Sequence, residues 1–308
     1  MSVEKEVRTV KESIGNGTPL CRRRFVAAVQ VLVFLSFLST SSASSESIDV
    51  VKVRIADYGN GNVTRLLLLE AGRRLAGLSR DILPVWMTLD APASSSSITG
   101  FDMLITSDEA YLRKLQEGGV SMDCRPIFLD ELILVGPGTA PLPKSVPVEV
   151  VLRGIHAGGL PFFSLMRDEW IEACERNLWK RSGIGRPQEN RSYVESGRDE
   201  VSALMQSSDE GAFLLVSESA FAAYQDAQRD APNLSKFAGS GLFRTCYACV
   251  VQTGAKSRMK RRSGAALYVA WLESPAGRSF VGDFSLGGVK PFRVPRDGSS
   301  SSVPREER

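Results

Sequence analysis

From residue 48 onward, strand-like runs alternate with helix-like runs, and this alternation constrains the fold more than any other feature. Residues 48–56 (I-D-V-V-K-V-R-I-A) alternate apolar and polar side chains with the period of two that marks a strand. Asp57-Tyr58-Gly59-Asn60-Gly61-Asn62 is turn chemistry. Residues 63–78 read as a helix, with Leu66, Leu67, Leu69, Leu75 and Leu78 on or near one face. A second strand is expected at 82–89, a Ser-rich loop at 92–100 and a short buried strand at 101–106. A helix at 108–117 opens on an acidic residue, and a longer strand at 127–135 ends at Gly136-Pro137-Gly138. Beyond a Pro-rich connection at 141–147, helices expected at 148–153, 168–180, 200–206 and 217–225 interleave with strands at 161–164 and 211–216. A strand at 243–252 and a helix at 261–272, broken by Ser274-Pro275 and resumed through residue 284, complete the pattern. Such alternation predicts an α/β protein with largely parallel sheets.

The chain has 308 residues, room for about two domains at roughly 150 residues each. Its composition, 43% hydrophobic and 24% charged, excludes wholesale disorder. The net charge of +3 is carried by residues 1–43, so the remainder is balanced and offers no basic surface of the kind a nucleic acid needs. A single histidine, His156, excludes His-rich metal sites and leaves a serine triad only that residue to use. His156 itself reads as an ordinary loop or helix-end residue. No G-x-S-x-G and no Cys/His/Asp metal spacing occurs. The expectation is a non-enzyme with neither cofactor nor metal and no nucleic-acid partner.

Residues 1–43 have the order of an export signal. Arg22-Arg23-Arg24-Phe25 precedes a 13-residue apolar run, 26–38, and Ser41-Ser42-Ala43 supplies the small residues of a cleavage site. The run is short of the ~20 residues that span a bilayer. The R-R-x-F pattern resembles a twin-arginine signal, and an ordinary secretory signal fits the same residues. An uncleaved anchor is the other alternative. No cysteine follows the apolar run, which argues against a lipoprotein. The expected mature chain begins near Ser44 and lies in the periplasm or outside the cell. Four cysteines remain there: Cys124, Cys174, Cys246 and Cys249. Their even number permits two disulfides. Cys246 and Cys249 lie on an apolar, strand-like run, where i and i+3 face opposite ways. Buried free thiols are the favoured reading. Residues 296–308 are expected to form a disordered tail.

Several stretches, in collinear order, resemble the extracellular tungstate-binding protein family, the solute receptors of bacterial tungstate ABC transporters. They are Phe101-Asp102-Met103-Leu104-Ile105, Glu131-Leu132-Ile133-Leu134-Val135-Gly136-Pro137, Pro161-Phe162-Phe163-Ser164 and Leu178-Trp179-Lys180. Tyr193-Val194-Glu195-Ser196-Gly197, Glu210-Gly211-Ala212-Phe213-Leu214-Leu215 and Trp271-Leu272-Glu273-Ser274-Pro275-Ala276-Gly277-Arg278 follow. The last, a W-L-x-S-P-x-G helix break, recurs across type 2 periplasmic binding proteins. The resemblance covers about residues 50–295. It implies a two-lobed type 2 periplasmic-binding-protein fold, each lobe a mostly parallel sheet flanked by helices, with a ligand cleft between. Lobe one would take residues 48–138 and 250–295, and lobe two 139–249. Residues 136–147 and the strand near Cys249 would cross between them.

The resemblance also implies three ligand loops, each altered here. The first is Asp57-Tyr58-Gly59-Asn60-Gly61 with Thr64-Arg65, in which Asn60, Gly61, Asn62 and Thr64 can donate while Asp57 adds negative charge. The second keeps Ser164 but has Leu165 where the family has arginine, and continues Arg167-Asp168-Glu169-Trp170-Ile171. The third keeps Ser196-Gly197, followed by Arg198-Asp199. The family's T-D-R after the last strand of lobe two is Ser217-Glu218-Ser219. Ser107 completes the expected ligand set. Arg167 and Arg198 either supply positive charge to the cleft or pair with Asp168 and Asp199. Trp170 and Trp179 read as packing residues. Arg258, Lys260, Arg261 and Arg262 read as a solvated helix start, or a docking face. The implied function is a monomeric solute-binding protein that closes around an oxyanion, tungstate or molybdate, and delivers it to an ABC permease. A receptor for a small organic anion, or an extracellular sensor or interaction module, is the alternative.

Overall fold

The structure is a computed structural model that describes residues 50–78, 82–89, 91–166, 168–185, 192–196, 198–228, 233–252 and 259–295. The expected export signal, the tail from residue 296, Arg167, Gly197 and Arg258 lie outside the described residues. The first strand, β1 (Val51–Tyr58), is followed by α1 (Asn62–Leu78), β2 (Ile82–Leu89), the one-turn α2 (Ser95–Ile98), β3 (Met103–Thr106) and α3 (Glu109–Glu117). The chain then runs through β4 (Met122–Pro137), α4 (Val148–Ala157), β5 (Phe162–Leu165), α5 (Glu169–Arg181), β6 (Tyr193–Ser196), α6 (Glu200–Glu210), β7 (Phe213–Ser217) and α7 (Glu218–Ala227). It ends with β8 (Leu234–Val251), α8 (Met259–Glu273), α9 (Pro275–Asp283) and β9 (Phe292–Arg293).

The described strands join in the order β2-β1-β3-β8-β4-β7-β5-β6, with β9 beside β4. Two parallel sets, β2-β1-β3 and β7-β5-β6, flank the long antiparallel pair β4 and β8. That pair runs through two separate cores. One core packs Leu132, Leu134, Phe162, Phe163, Trp179 and Leu215. The other lies on both faces of the first parallel set. Val53, Ile55, Met103, Ile105, Cys246 and Ala248 face α1 and α8, and Ala56, Leu104, Tyr247 and Cys249 face α2 and α3. Period-two alternation with both faces apolar is what a strand covered on both sides requires. The passage from core to core falls between Phe128 and Leu132 on β4 and between Leu242 and Cys246 on β8. Gly136 and Pro137 end β4 beyond that passage.

Several local expectations are corrected. On α1 the buried face is Val63, Leu67, Leu68, Ala71 and Leu75, so Leu66 and Leu78 point to solvent. The strand expected from Phe243 begins at Leu234, because its polar first half pairs with β4. Ser94 caps the short helix inside the Ser-rich loop. Cys249 is not a free thiol: it is bonded to Cys124, while Cys246 is free and buried and Cys174 is free. The alternation rule separates Cys246 from Cys249 correctly, but it says nothing of the neighbouring strand, whose register sets Cys124 opposite Cys249. Trp179 is core. His156 is exposed in the last turn of α4. Arg261, on α8, lies 3.7 Å from the buried Asp102.

The break between α8 and α9 explains its own sequence. The Ser274 hydroxyl accepts the Gly277 N–H, and Pro275 occupies the first turn, where its missing N–H costs nothing. A Cβ at Gly277 would collide with the Trp271 carbonyl. Among the described residues, no helix is long and apolar enough to cross a membrane.

Candidate functional site

In each parallel set the strands end on the same side, and the helices that follow begin there. The starts of α1 and α3 from one set, and of α5, α6 and α7 from the other, therefore meet at the passage between the cores. They line two adjoining cavities of about 730 and about 480 Å³, which share Gly59, Ser107 and Arg244.

The smaller cavity is built around the turn after β1. Gly59 has φ +71°, a conformation that glycine adopts without the Cβ clash. The turn is pinned by Asn60, whose Nδ2 donates to Asp57 Oδ1 at 2.7 Å and to the Ile105 carbonyl at 3.1 Å. Arg65 Nε lies 2.6 Å from the buried Asp57 Oδ2, so the negative charge in this loop is paired. The Ser107 hydroxyl donates to the Gly59 carbonyl at 2.9 Å. Behind the turn α1 begins with no acidic residue in its first turn, so the positive end of its dipole faces the cavity uncompensated by its own side chains.

The opposite wall differs. Asp199 caps α6 by accepting the Ser202 N–H, and Ser217 caps α7 through Ala220. Glu200 Oε2 accepts the Ser217 N–H at 2.6 Å, and Asp130 Oδ1 accepts the Ser219 N–H at 3.2 Å. The chain's own carboxylates thus take the backbone donors on this wall. Burial pushes the Asp130 carboxyl up to about 7, against the Ser219 hydrogen bond and with help from Glu200. Burial raises Glu200 as well.

Arg244 stands between the cavities. Its guanidinium donates to both Asp168 oxygens at 2.6 Å and lies 4.6 Å from the centre of the Trp170 ring. Burial works against its charge, but Asp168 and Glu200 hold it above the ordinary guanidinium value. Trp170 packs against the core that holds Leu132 and Trp179, as expected, and also lines the larger cavity.

Asn60, Gly61, Asn62, Thr64 and Ser107 come together on the smaller cavity. Ser164 does not join them: on β5 it is fully buried, with its hydroxyl directed to Met166 Sδ at 3.7 Å. Ser196 and Arg198 line a third, separate cavity of about 170 Å³. Asp168 pairs with Arg244, and Asp199 serves as the cap of α6. Sequence reasoning missed Arg244, Asp130 and Glu200. For Asp130 and Arg244 the available signal was charge inside apolar runs, Phe128-Leu129-Asp130-Glu131-Leu132 and Phe243-Arg244-Thr245-Cys246. Among the described residues, no cluster of three or more His, Cys, Asp or Glu could hold a metal ion.

No protein-family model matches the chain, and no curated protein matches it in sequence. Solved structures match its fold. A tungstate-binding protein from Desulfovibrio alaskensis is similar at a TM-score of 0.63 and 20% identity, over 79% of this chain and 98% of that one. The tungstate ABC transporter from Geobacter sulfurreducens gives 0.60 and 16%, over 76% and 98%. The substrate-binding domain of a putative molybdenum ABC transporter from Clostridium difficile gives 0.55 and 10%, over 80% and 99%. The chain has the two-lobed α/β fold of these proteins, with the cavities above in the cleft between the lobes.

Proposed function

We propose that the chain is an extracytoplasmic solute-binding protein of an ABC transporter that holds an oxyanion between its lobes. The observation that carries this reading is the bare first turn of α1. It faces a cavity in the cleft, beside Arg65 and Arg244. Backbone N–H groups at a helix start bind oxyanions without a full counter-charge. Asn62 and Thr64 add side-chain donors there, and Ser107 lies on the same cavity. Closure of the lobes would remove water and strengthen each of these bonds. Similarity in fold to tungstate and molybdenum transport proteins supports an oxyanion of that kind, such as tungstate or molybdate. On this reading the protein is exported, works as a monomer, passes its ligand to a permease and turns nothing over.

A thermal-shift series with tungstate, molybdate, sulfate and phosphate tests the proposal. An anion present at 100 times its dissociation constant adds about 2.7 kcal/mol of stability, which reads as a raised melting temperature. A shift with tungstate or molybdate is expected. No shift with any oxyanion would refute the reading. A second reading, an organic anion in place of an inorganic one, is favoured by the size of the adjoining cavity.

A further inference from the structure

We infer that the larger cavity is a second subsite for a cationic group, and that the solute is an organic zwitterion with an oxyanion head and an ammonium tail. This deepens the proposed function and rests on it, because the head is placed at the start of α1.

Four observations converge. The first is size: the larger cavity, partly open to solvent, has a volume of about 730 Å³, whereas a tetrahedral oxyanion has five heavy atoms. At roughly 30 Å³ per water, that space equals about two dozen waters. The second is its walls. Tyr58 and Tyr111 meet edge to face at 4.7 Å on one lobe, and Trp170 stands on the other. Aromatic faces attract organic cations. The third is charge. Glu109 and Glu169 open α3 and α5 on this cavity, and Glu109 Oε1 accepts the Tyr247 hydroxyl at 3.0 Å while keeping further acceptor capacity. Three cations also border this cavity, against the four carboxylates of Asp108, Glu109, Asp168 and Glu169: Arg244 is committed to Asp168 and Trp170, and Arg113 and Lys114 are exposed side chains of α3. The fourth is continuity: Gly59, Ser107 and Arg244 border both cavities, so a ligand with a short carbon chain can reach from one to the other.

Calorimetric titration of the protein with inorganic phosphate, tungstate, ethanolamine, O-phosphoethanolamine and γ-aminobutyrate tests this. One of the two zwitterions is expected to bind at least tenfold tighter than phosphate, tungstate or ethanolamine, and comparing the two tells a phosphate head from a carboxylate head. In the double variant E109Q/E169Q, the amide oxygen introduced by E109Q can still accept the Tyr247 hydroxyl, and the ratio of zwitterion to phosphate affinity should fall towards one. Its melting curve without ligand checks that it is folded. Phosphate or tungstate binding as tightly as both zwitterions, or an unchanged ratio in the variant, overturns the inference and leaves the receptor reading standing. Binding of none of the five probes overturns both.

Discussion

Asp130 is buried at the passage between the two cores, on the wall of the smaller cavity, with its carboxyl pushed up to about 7. Below that pH it carries a proton and is neutral, and above it a negative charge faces any anion in the cavity. Anion affinity is therefore predicted to be highest below pH 6 and to fall as pH rises through 7. Tungstate suits the measurement when it is kept dilute, so that it stays a monomeric dianion and does not condense in acid. Asp130→Asn should flatten the profile while its amide oxygen still accepts the Ser219 N–H. A wild-type affinity that is level from pH 6 to 8 would contradict the assignment. Glu175 is a second buried acid, in the core of the other lobe, where its carboxylate accepts the Tyr193 hydroxyl at 2.6 Å. Burial pushes it up to about 7, against that hydrogen bond. Because the folded value lies above the unfolded one, its contribution to stability is fully present below about pH 4.5 and is lost as pH rises through 7. Glu175→Gln should thus raise the melting temperature at pH 8, by at most roughly 3 kcal/mol in free energy, and give no gain at pH 4. Equal effects at both pH values would show that the carboxyl titrates normally.

Among the elements, the α8–α9 break is where local sequence dictates structure most completely. Gly277→Ala places a methyl group against the Trp271 carbonyl, which belongs to backbone and cannot swing aside. A destabilisation of about 2–3 kcal/mol is expected in chemical denaturation, as for other overpacked sites. A loss under 0.5 kcal/mol would show that the helices separate freely. Such breaks, and the alternation of strand with helix, are legible because they depend on neighbours in the chain. Residues 82–89 and the helix start at Glu109 follow the pattern closely. What lay beyond it depended on neighbours in space. The Cys124–Cys249 bond follows from the register of β4 with β8, which no single strand encodes. Ser164 carries a hydroxyl in a loop that the resemblance associated with ligand, yet its side chain is fully buried on β5. Arg244 belongs to a strand whose apolar residues hid it, and Asp168, Trp170, Glu200 and Asp130 meet it from other segments.

At the scale of the whole molecule, two cores share one pair of strands, and the helix starts of both converge where that pair passes between them. This is a geometry for enclosing a small solute, with one wall donating backbone N–H groups and the other lined by carboxylates. The most direct test is diffraction at the tungsten absorption edge from crystals grown with tungstate. The expected result is an anomalous peak in the cleft, within hydrogen-bond distance of the backbone N–H groups at the start of α1, near Asn62 and Thr64. A cleft without tungsten at saturating tungstate, or a peak confined to the outer surface, would contradict the placement of the anion at α1 and the proposed function with it.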